Sequence, residues 1–82
     1  MKYQVYILIS QKDGTLYVGL THNIKQRMLE HKLGLGGFTK GHLPYKLAFV
    51  SIFPDKLIAA RFEKYLKTAS GKAFLRKRLI NI

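Results

Sequence analysis

Residues 3–20 read YQVYILISQKDGTLYVGL, two runs of aromatic and β-branched residues on either side of an Asp-Gly pair. Such side chains suit the pleated surface of a sheet, so residues 3–10 and 16–20 are predicted as strands. Asp-Gly supplies the positive φ that a tight hairpin requires, so the turn is expected at residues 12–15. The first strand is apolar at odd and even positions alike, which indicates that both faces of the sheet are covered.

The chain beyond this hairpin predicts a helix and then a loop. Thr21 or Asn23 can cap the helix, because their side chains accept hydrogen bonds from free backbone N–H groups. We expect its inner face to carry Ile24, Met28 and Leu35. Residues 34–44 contain four glycines together with Lys40 and His42, a composition typical of a mobile basic loop.

A third strand and a second helix follow the loop. Residues 45–53 are rich in aromatic and β-branched residues, and Asp55 is a good cap for the helix after them. The apolar stripe predicted for that helix consists of Ile58, Phe62, Leu66 and Ala69. Residues 72–79 predict a last helical turn or two that carries four cations.

Length and composition limit the class of protein. The 82 residues have room for one modest core, so a single domain over residues 1–82 is expected. Cysteine is absent, which excludes disulfides and thiolate zinc sites and suits a reducing interior. The N-terminal residues are too polar for a signal peptide, and no run approaches ~20 apolar residues, so a cytoplasmic location is predicted.

The charge balance predicts the partner. Fifteen Lys and Arg residues against four Asp and Glu residues give a formal net charge of +11. Such a field attracts polyanions, and nucleic acid is therefore the expected partner. A membrane surface is not expected, because it would require a helix with an exposed apolar stripe, whereas these apolar faces are needed for the core.

Four side chains in the first half of the chain suit phosphate chemistry. Tyr6 and Tyr17 lie on the two arms of the hairpin, and Gly19 follows in a strand, where glycine often marks the close approach of a ligand. Arg27 and His31 are spaced to share one helix face and can act together on a phosphate. The simpler alternatives are cross-strand packing for the tyrosines, a solvated helix position for Arg27, and a surface or hydrogen-bonded structural histidine for His31.

Glu63 is the most conspicuous acidic residue, because it is one of only four and its helix is otherwise basic. A carboxylate in this setting is a candidate ligand for a hard cation. The alternative is a weak, exposed ion pair with Lys67, four residues further along the helix.

The chain resembles the GIY-YIG nucleases through Val5-Tyr6-Ile7, Tyr17-Val18-Gly19, Arg27, His31 and Glu63. The resemblance covers nearly the whole chain and is closest to small stand-alone bacterial proteins that consist of this domain alone. Gln4 stands where the family motif has glycine. The resemblance implies an α+β fold in which a three-stranded antiparallel sheet is flanked by helices.

The resemblance also implies a divalent-metal-dependent endonuclease domain that hydrolyses DNA with weak sequence specificity. Tyr6 and Tyr17 would position or deprotonate the attacking water. An unperturbed tyrosine, with a pKa near ~10, is a poor base at neutral pH, although the positive field and a metal would favour its phenolate. Arg27 and His31 would hold the scissile phosphate, and Glu63 would bind a single Mg²⁺ or Mn²⁺ ion. A non-catalytic nucleic-acid-binding module of the same fold is the alternative.

The remaining basic residues predict a nonspecific phosphate footprint, because no base-reading module is evident. The footprint consists of Lys40, His42, Lys46, Lys67, Lys72, Arg76, Lys77 and Arg78. We expect DNA rather than RNA as the substrate, and specificity would come from a partner protein.

Overall fold

The structure is a computed structural model that describes residues 2–35 and 41–80. Within these ranges the elements are β1 Tyr3–Ser10, β2 Leu16–Thr21, α1 Ile24–Lys32, β3 Tyr45–Phe53, α2 Lys56–Leu66, α3 Ala69–Phe74 and a π-helical turn at Leu75–Leu79. None of the helices in these ranges is long and apolar enough to cross a membrane.

The three strands form one sheet with the order β2-β1-β3, and both outer strands run antiparallel to β1. β1 is central, which explains why its odd and even positions are both apolar. Tyr6 lies opposite Gly19 on β2 and opposite Val50 on β3. The predicted α+β fold, a three-stranded antiparallel sheet flanked by helices, is confirmed.

The hydrophobic core lies on the face of the sheet that carries Val5 and Ile7. Both are fully buried and belong to one cluster with Ala59 and Leu66 of α2. The predicted stripe was wrong at its start, because Ile58 is 50% exposed and Ala59 faces the sheet instead. Residues 57–60, at the start of α2, are all apolar. Periodicity alone therefore could not decide which of them faces the sheet.

The predicted stripe was also wrong at its end, because α2 stops at Leu66 and Ala69 begins a separate helix. The hydroxyl of Thr68 caps that helix by accepting a hydrogen bond from the Gly71 N–H at 3.0 Å. Gly71 packs so tightly on the end of α2 that a Cβ at this position would collide with the Tyr65 carbonyl. The last basic segment therefore packs back on α2 rather than extending it.

Helix α1 covers the opposite face of the sheet. The Asn23 side chain accepts a hydrogen bond from the Gln26 N–H at 3.1 Å, which confirms Asn23 as the cap. The Gln4 side chain accepts one from the Ile24 N–H at 2.9 Å and so ties the start of α1 to β1. Leu35 lies beyond the helix and is 69% exposed, so its predicted place on the inner face was wrong.

Candidate active site

The structure brings four of the predicted site residues together on the α1 side of the sheet. We call Tyr6, Tyr17, Arg27 and His31 the tyrosine cluster. The His31 ring centroid lies 5.8 Å from that of Tyr6 and 5.0 Å from that of Tyr17, in both cases edge to face. The two tyrosine rings are 6.2 Å apart. Their proximity follows from the sheet register, since Tyr6 and Tyr17 project from one face of neighbouring strands.

The Tyr6 hydroxyl is the centre of the cluster. It accepts a hydrogen bond from Arg27 Nε at 3.2 Å and lies 2.9 Å from His31 Nε2. Burial raises the pKa of Tyr6 to about 12, against the opposing effect of the Arg27 hydrogen bond. The hydroxyl is therefore protonated at neutral pH. Desolvation at Tyr6 thus outweighs the positive field that would favour its phenolate.

His31 is neutral for the same physical reason. Burial lowers its pKa, and the neighbouring Arg27 charge lowers it further. Tyr6 and His31 thus form a neutral pair beneath the charged guanidinium.

Gly19 is required by the Tyr6 ring rather than by an outside ligand. A Cβ at residue 19 would overlap the ring and the hydroxyl of Tyr6, which lies directly over this backbone. The close approach expected at Gly19 is therefore present, but the approaching group belongs to the protein. The tyrosine of one strand and the glycine of the next form one packing unit.

Replacing Gly19 by Ala should therefore displace the Tyr6 ring and destabilise the fold. Overpacking of this kind costs about 1–3 kcal/mol, which lowers Tm by on the order of 10 °C in a chain of this size. Gly41→Ala is the matched control, because nothing lies within 4 Å of a Cβ there. Equal melting temperatures for the two variants would contradict this account of Gly19.

Glu30 was missed as a member of this site. Its carboxylate accepts a hydrogen bond from Arg27 Nη1 at 2.7 Å, and this bond raises the pKa of Arg27 and lowers that of Glu30. The i,i+3 spacing of the two residues was the available signal. Glu30 and the Tyr6 hydroxyl together fix the orientation of the guanidinium.

The tyrosine cluster has two buried and two partly exposed side chains. Tyr6 and His31 are 0% and 1% exposed, whereas the Arg27 side chain is 29% exposed and Tyr17 is only partly buried. Tyr17 also contributes hydrogen bonds to Tyr6 and Arg27. A substrate approaching from solvent would thus meet Tyr17 and Arg27 first.

The state of Tyr6 can be tested by alkaline titration. The folded chain holds the Tyr6 proton up to pH about 12, while an unfolded chain releases it near pH ~10. Tyr6 therefore stabilises the fold fully below pH ~10, and this contribution is lost as pH rises through 12. Phenolate absorbance of the wild type and Tyr6→Phe should coincide up to pH ~11 while circular dichroism shows an intact fold. One phenol fewer titrating near pH 10 in the variant would contradict the buried state.

Tyr45 is a second residue that the sequence did not reveal. Its ring centroid lies 6.4 Å from that of His31, and its buried hydroxyl has no hydrogen-bond partner within the described ranges. Desolvation raises its pKa, and the negative charge of Asp13 adds to this effect. Tyr45 opens β3 and looks like an ordinary strand residue in the sequence, so no local signal distinguished it.

In the structure Glu63 forms an ion pair with Lys67, which was the simpler of its two interpretations. Its carboxylate lies 3.2 Å from Lys67 Nζ, and this is its one hydrogen-bonding or ionic partner in the described part of the chain. No group of three His, Cys, Asp or Glu residues is placed to hold a metal there either. A hard cation that keeps most of its waters needs a single carboxylate, so Glu63 fits a weakly held Mg²⁺ or Mn²⁺ but not a preformed cage.

Lys67, the ion-pair partner of Glu63, also lines a groove beside the edge strand β2. This groove of about 600 Å³, the β2 groove, is lined by Tyr17, Leu16, Leu66, Lys67, Lys72 and Arg76, among others. Three residues of the predicted phosphate footprint thus share one concavity with the partly exposed tyrosine of the cluster.

The other footprint residues are more scattered. Lys46, Lys77 and Arg78 are exposed, and Lys40 lies outside the described residues. His42 is held by the hairpin turn, because its Nδ1 lies 2.7 Å from an Asp13 carboxylate oxygen. The structure thus gives His42 an anchoring contact with the first hairpin.

Comparisons with known proteins match nearly the whole chain. A family model described as the GIY-YIG catalytic domain matches residues 2–78. A UPF0213 protein of Bacillus licheniformis is 38% identical over 68 residues, which cover 82% of this chain and 70% of that protein. A UPF0213 protein of Streptococcus agalactiae is 35% identical over 77 residues, which cover 92% of this chain and 88% of that protein.

A solved structure agrees in fold. The solution NMR structure of a UPF0213 protein from Bacillus halodurans aligns with a TM-score of 0.59 at 35% identity, over 94% of this chain and 84% of that chain. The matches agree with the resemblance drawn from the motif residues.

Proposed function

This chain belongs to the GIY-YIG family, and from that premise we propose that it is a divalent-metal-dependent endonuclease domain that hydrolyses DNA with weak sequence specificity. Membership of the family implies a nucleic-acid substrate and a nuclease. The observation that carries the finer proposal is a partly exposed phenol beside a fixed guanidinium, supported from below by a neutral Tyr6–His31 pair.

Hydrolysis needs an aligned water and positive charge near the phosphate oxygens. We assign the first task to Tyr17, whose hydroxyl would orient the water that attacks phosphorus. Arg27 would hold the scissile phosphate and stabilise the charge that develops on it as the bond to the leaving oxygen breaks. A guanidinium suits this task because its planar fork matches the geometry of phosphate oxygens.

The buried pair would act through these two residues. Tyr6 hydrogen bonds to Arg27 and His31 packs edge to face on the Tyr17 ring, so both orient groups that a substrate can reach. His31, expected to hold the phosphate, is assigned this supporting role because its side chain is 1% exposed. Such support is what preorganised sites require.

Glu63 would hold the single Mg²⁺ or Mn²⁺ ion, after exchanging the Lys67 ammonium for it. When bound, the ion supplies positive charge that stabilises the phosphate oxygens. A carboxylate that already has a competing cation makes the affinity for free metal weak, with substrate oxygens and waters completing the coordination.

The competing function is a binding module of the same fold without catalysis, and the Glu63–Lys67 ion pair favours it. Nicking of supercoiled plasmid by the purified chain separates the two. We expect nicked circles with Mg²⁺ or Mn²⁺ and none with EDTA. Tyr17→Phe, purified in parallel, shows whether any nicking comes from contaminating nucleases. No nicking by the wild type under either metal would leave the binding module as the function.

Binding itself should depend steeply on salt, because exposed cations rather than base-reading groups form the footprint. If about five phosphates are neutralised, log affinity for duplex DNA should fall against log salt concentration with a slope near −4 to −5. Fluorescence anisotropy in EDTA measures this slope without cleavage. Binding that does not respond to salt would contradict the phosphate footprint.

Weak sequence specificity is part of the proposal for the same reason, since phosphate contacts carry no sequence information. We also propose that residues 1–82 act as one domain and that specificity comes from a partner protein.

A further inference from the structure

Two aromatic side chains lie side by side on the outer surface of α2 and α3. Tyr65 is 42% exposed and Phe74 is 38% exposed, and their ring centroids are 6.1 Å apart. They are distant in the sequence and meet because the chain turns at Thr68 and packs α3 back on α2. Neither residue belongs to the hydrophobic core cluster, so the pair leaves aromatic surface open to solvent.

The segment that carries this pair is strongly basic. Residues 56–80 contain eight of the 15 Lys and Arg residues of the chain and one of its four acidic residues. Arg61 precedes Tyr65 by four residues and therefore shares its face of α2. Arg78 follows Phe74 by about one helical turn. Both arginines are exposed, so the aromatic pair has a cation on either helix beside it.

Glu63, the one acidic residue of this segment, faces away from Tyr65. The two residues are two positions apart, which places them about 200° apart round α2. The Glu63 carboxylate instead lies 3.2 Å from Lys67 Nζ. An anionic ligand that approaches the aromatic pair therefore meets cations, and no carboxylate of this segment opposes it.

We propose that the Tyr65 ring stacks an unpaired base of a bound nucleic-acid strand, while Arg61 and Arg78 contact the neighbouring phosphates. A single strand fits this surface because it presents flat π-faces together with anionic phosphates. A duplex does not fit in the same way, since its bases stay stacked and paired inside the helix. Membership of the family already implies a nucleic-acid substrate, so a ligand of this chemistry is at hand.

The base is assigned to Tyr65 because this ring is the more exposed of the two. The planes of the two rings are tilted by 56°, so one base cannot lie flat on both, and Phe74 borders the stack. Helix α2 packs on the face of the sheet opposite to the tyrosine cluster. The stacking site is therefore a second contact with the strand, and it does not rest on the proposed function.

Substitutions that keep or remove the ring test the proposal. Tyr65→Leu removes the π-face but keeps an apolar side chain, whereas Tyr65→Phe keeps the π-face. Leu57→Ala is the matched control, because Leu57 is 59% exposed and its loss removes apolar surface elsewhere on α2. Fluorescence anisotropy in EDTA measures the affinity of each variant for a short single strand and for the corresponding blunt duplex, and circular dichroism verifies the fold.

We expect Tyr65→Leu to lose about tenfold in affinity for the single strand, the scale of one base stack, and to bind the duplex as the wild type does. Tyr65→Phe and Leu57→Ala should bind both ligands as the wild type does. An equal loss by Tyr65→Leu on the duplex would overturn the proposal. An equal loss by Leu57→Ala on the single strand would overturn it too, and would indicate an apolar surface for a partner protein instead.

Tyr65→Trp gives a second measurement that does not depend on a loss of affinity. The chain contains no tryptophan, so indole emission from this variant reports on residue 65 alone. A base stacked on the ring should quench this emission when the single strand is added, whereas the duplex should leave it nearly unchanged. Emission that saturating single strand does not change would overturn the proposal. Since EDTA is present throughout, a chain that never nicks plasmid refutes the proposed nuclease and not the stacking site.

Discussion

Tyr17→Phe should lower metal-dependent nicking by at least about 10²-fold while leaving the fold nearly unchanged. The substitution keeps the ring that packs on His31 and removes only the hydroxyl proposed to orient the water. Positioned groups that act on a nucleophile contribute typically 10²–10⁴-fold to the rate. Because the residue is only partly buried, Tm should change by less than about 4 °C.

Tyr6→Phe is the matched control, because it removes the same atom from a fully buried position. Arg27 Nε and His31 Nε2 would each lose a partner, which costs about 1–3 kcal/mol and lowers Tm by on the order of 10 °C. The pair of variants thus separates chemistry from structure. Nicking by Tyr17→Phe at the wild-type rate would remove Tyr17 from the mechanism.

The regular elements followed from the sequence because their signals are local. Strand β3 was predicted with its observed bounds, Asp55 was identified as a cap, and Asn23 was one of two cap candidates, since strand propensity and cap chemistry depend on near neighbours. The faces of the helices were harder. In α2 several apolar residues occupy adjacent positions, and the sheet accepts the smaller Ala59 in place of Ile58.

The residues of the tyrosine cluster were predicted, but which of them are buried and which are partly exposed was not. Whether a tyrosine ionises depends on burial, which only the tertiary packing of α1 on the sheet decides. The sequence shows the positive field that would favour a phenolate, but not the burial that raises the pKa of Tyr6 to about 12. Tyr45 was missed because its place beside the His31 ring depends on tertiary packing, whereas Glu30 had a local signal in its i,i+3 spacing to Arg27.

Glu63→Gln should abolish metal-dependent nicking while DNA binding in EDTA holds or rises. The amide keeps the shape of the side chain but removes the one anionic metal ligand that we propose. It also removes a negative charge beside Lys67, whose ammonium is then free to contact phosphate. Plasmid nicking across a Mg²⁺ series and anisotropy in EDTA measure the two effects separately.

Lys67→Gln distinguishes the lost carboxylate from the broken ion pair, because it breaks the same contact and retains Glu63. At saturating DNA this variant should still nick, and half-maximal nicking should need less Mg²⁺, since the competing ammonium is gone. If Glu63→Gln nicks at the wild-type rate, Glu63 is not the metal ligand and is instead the surface partner of Lys67. If Lys67→Gln instead loses nicking as completely as Glu63→Gln, the ion pair rather than the metal ligand is what the site requires.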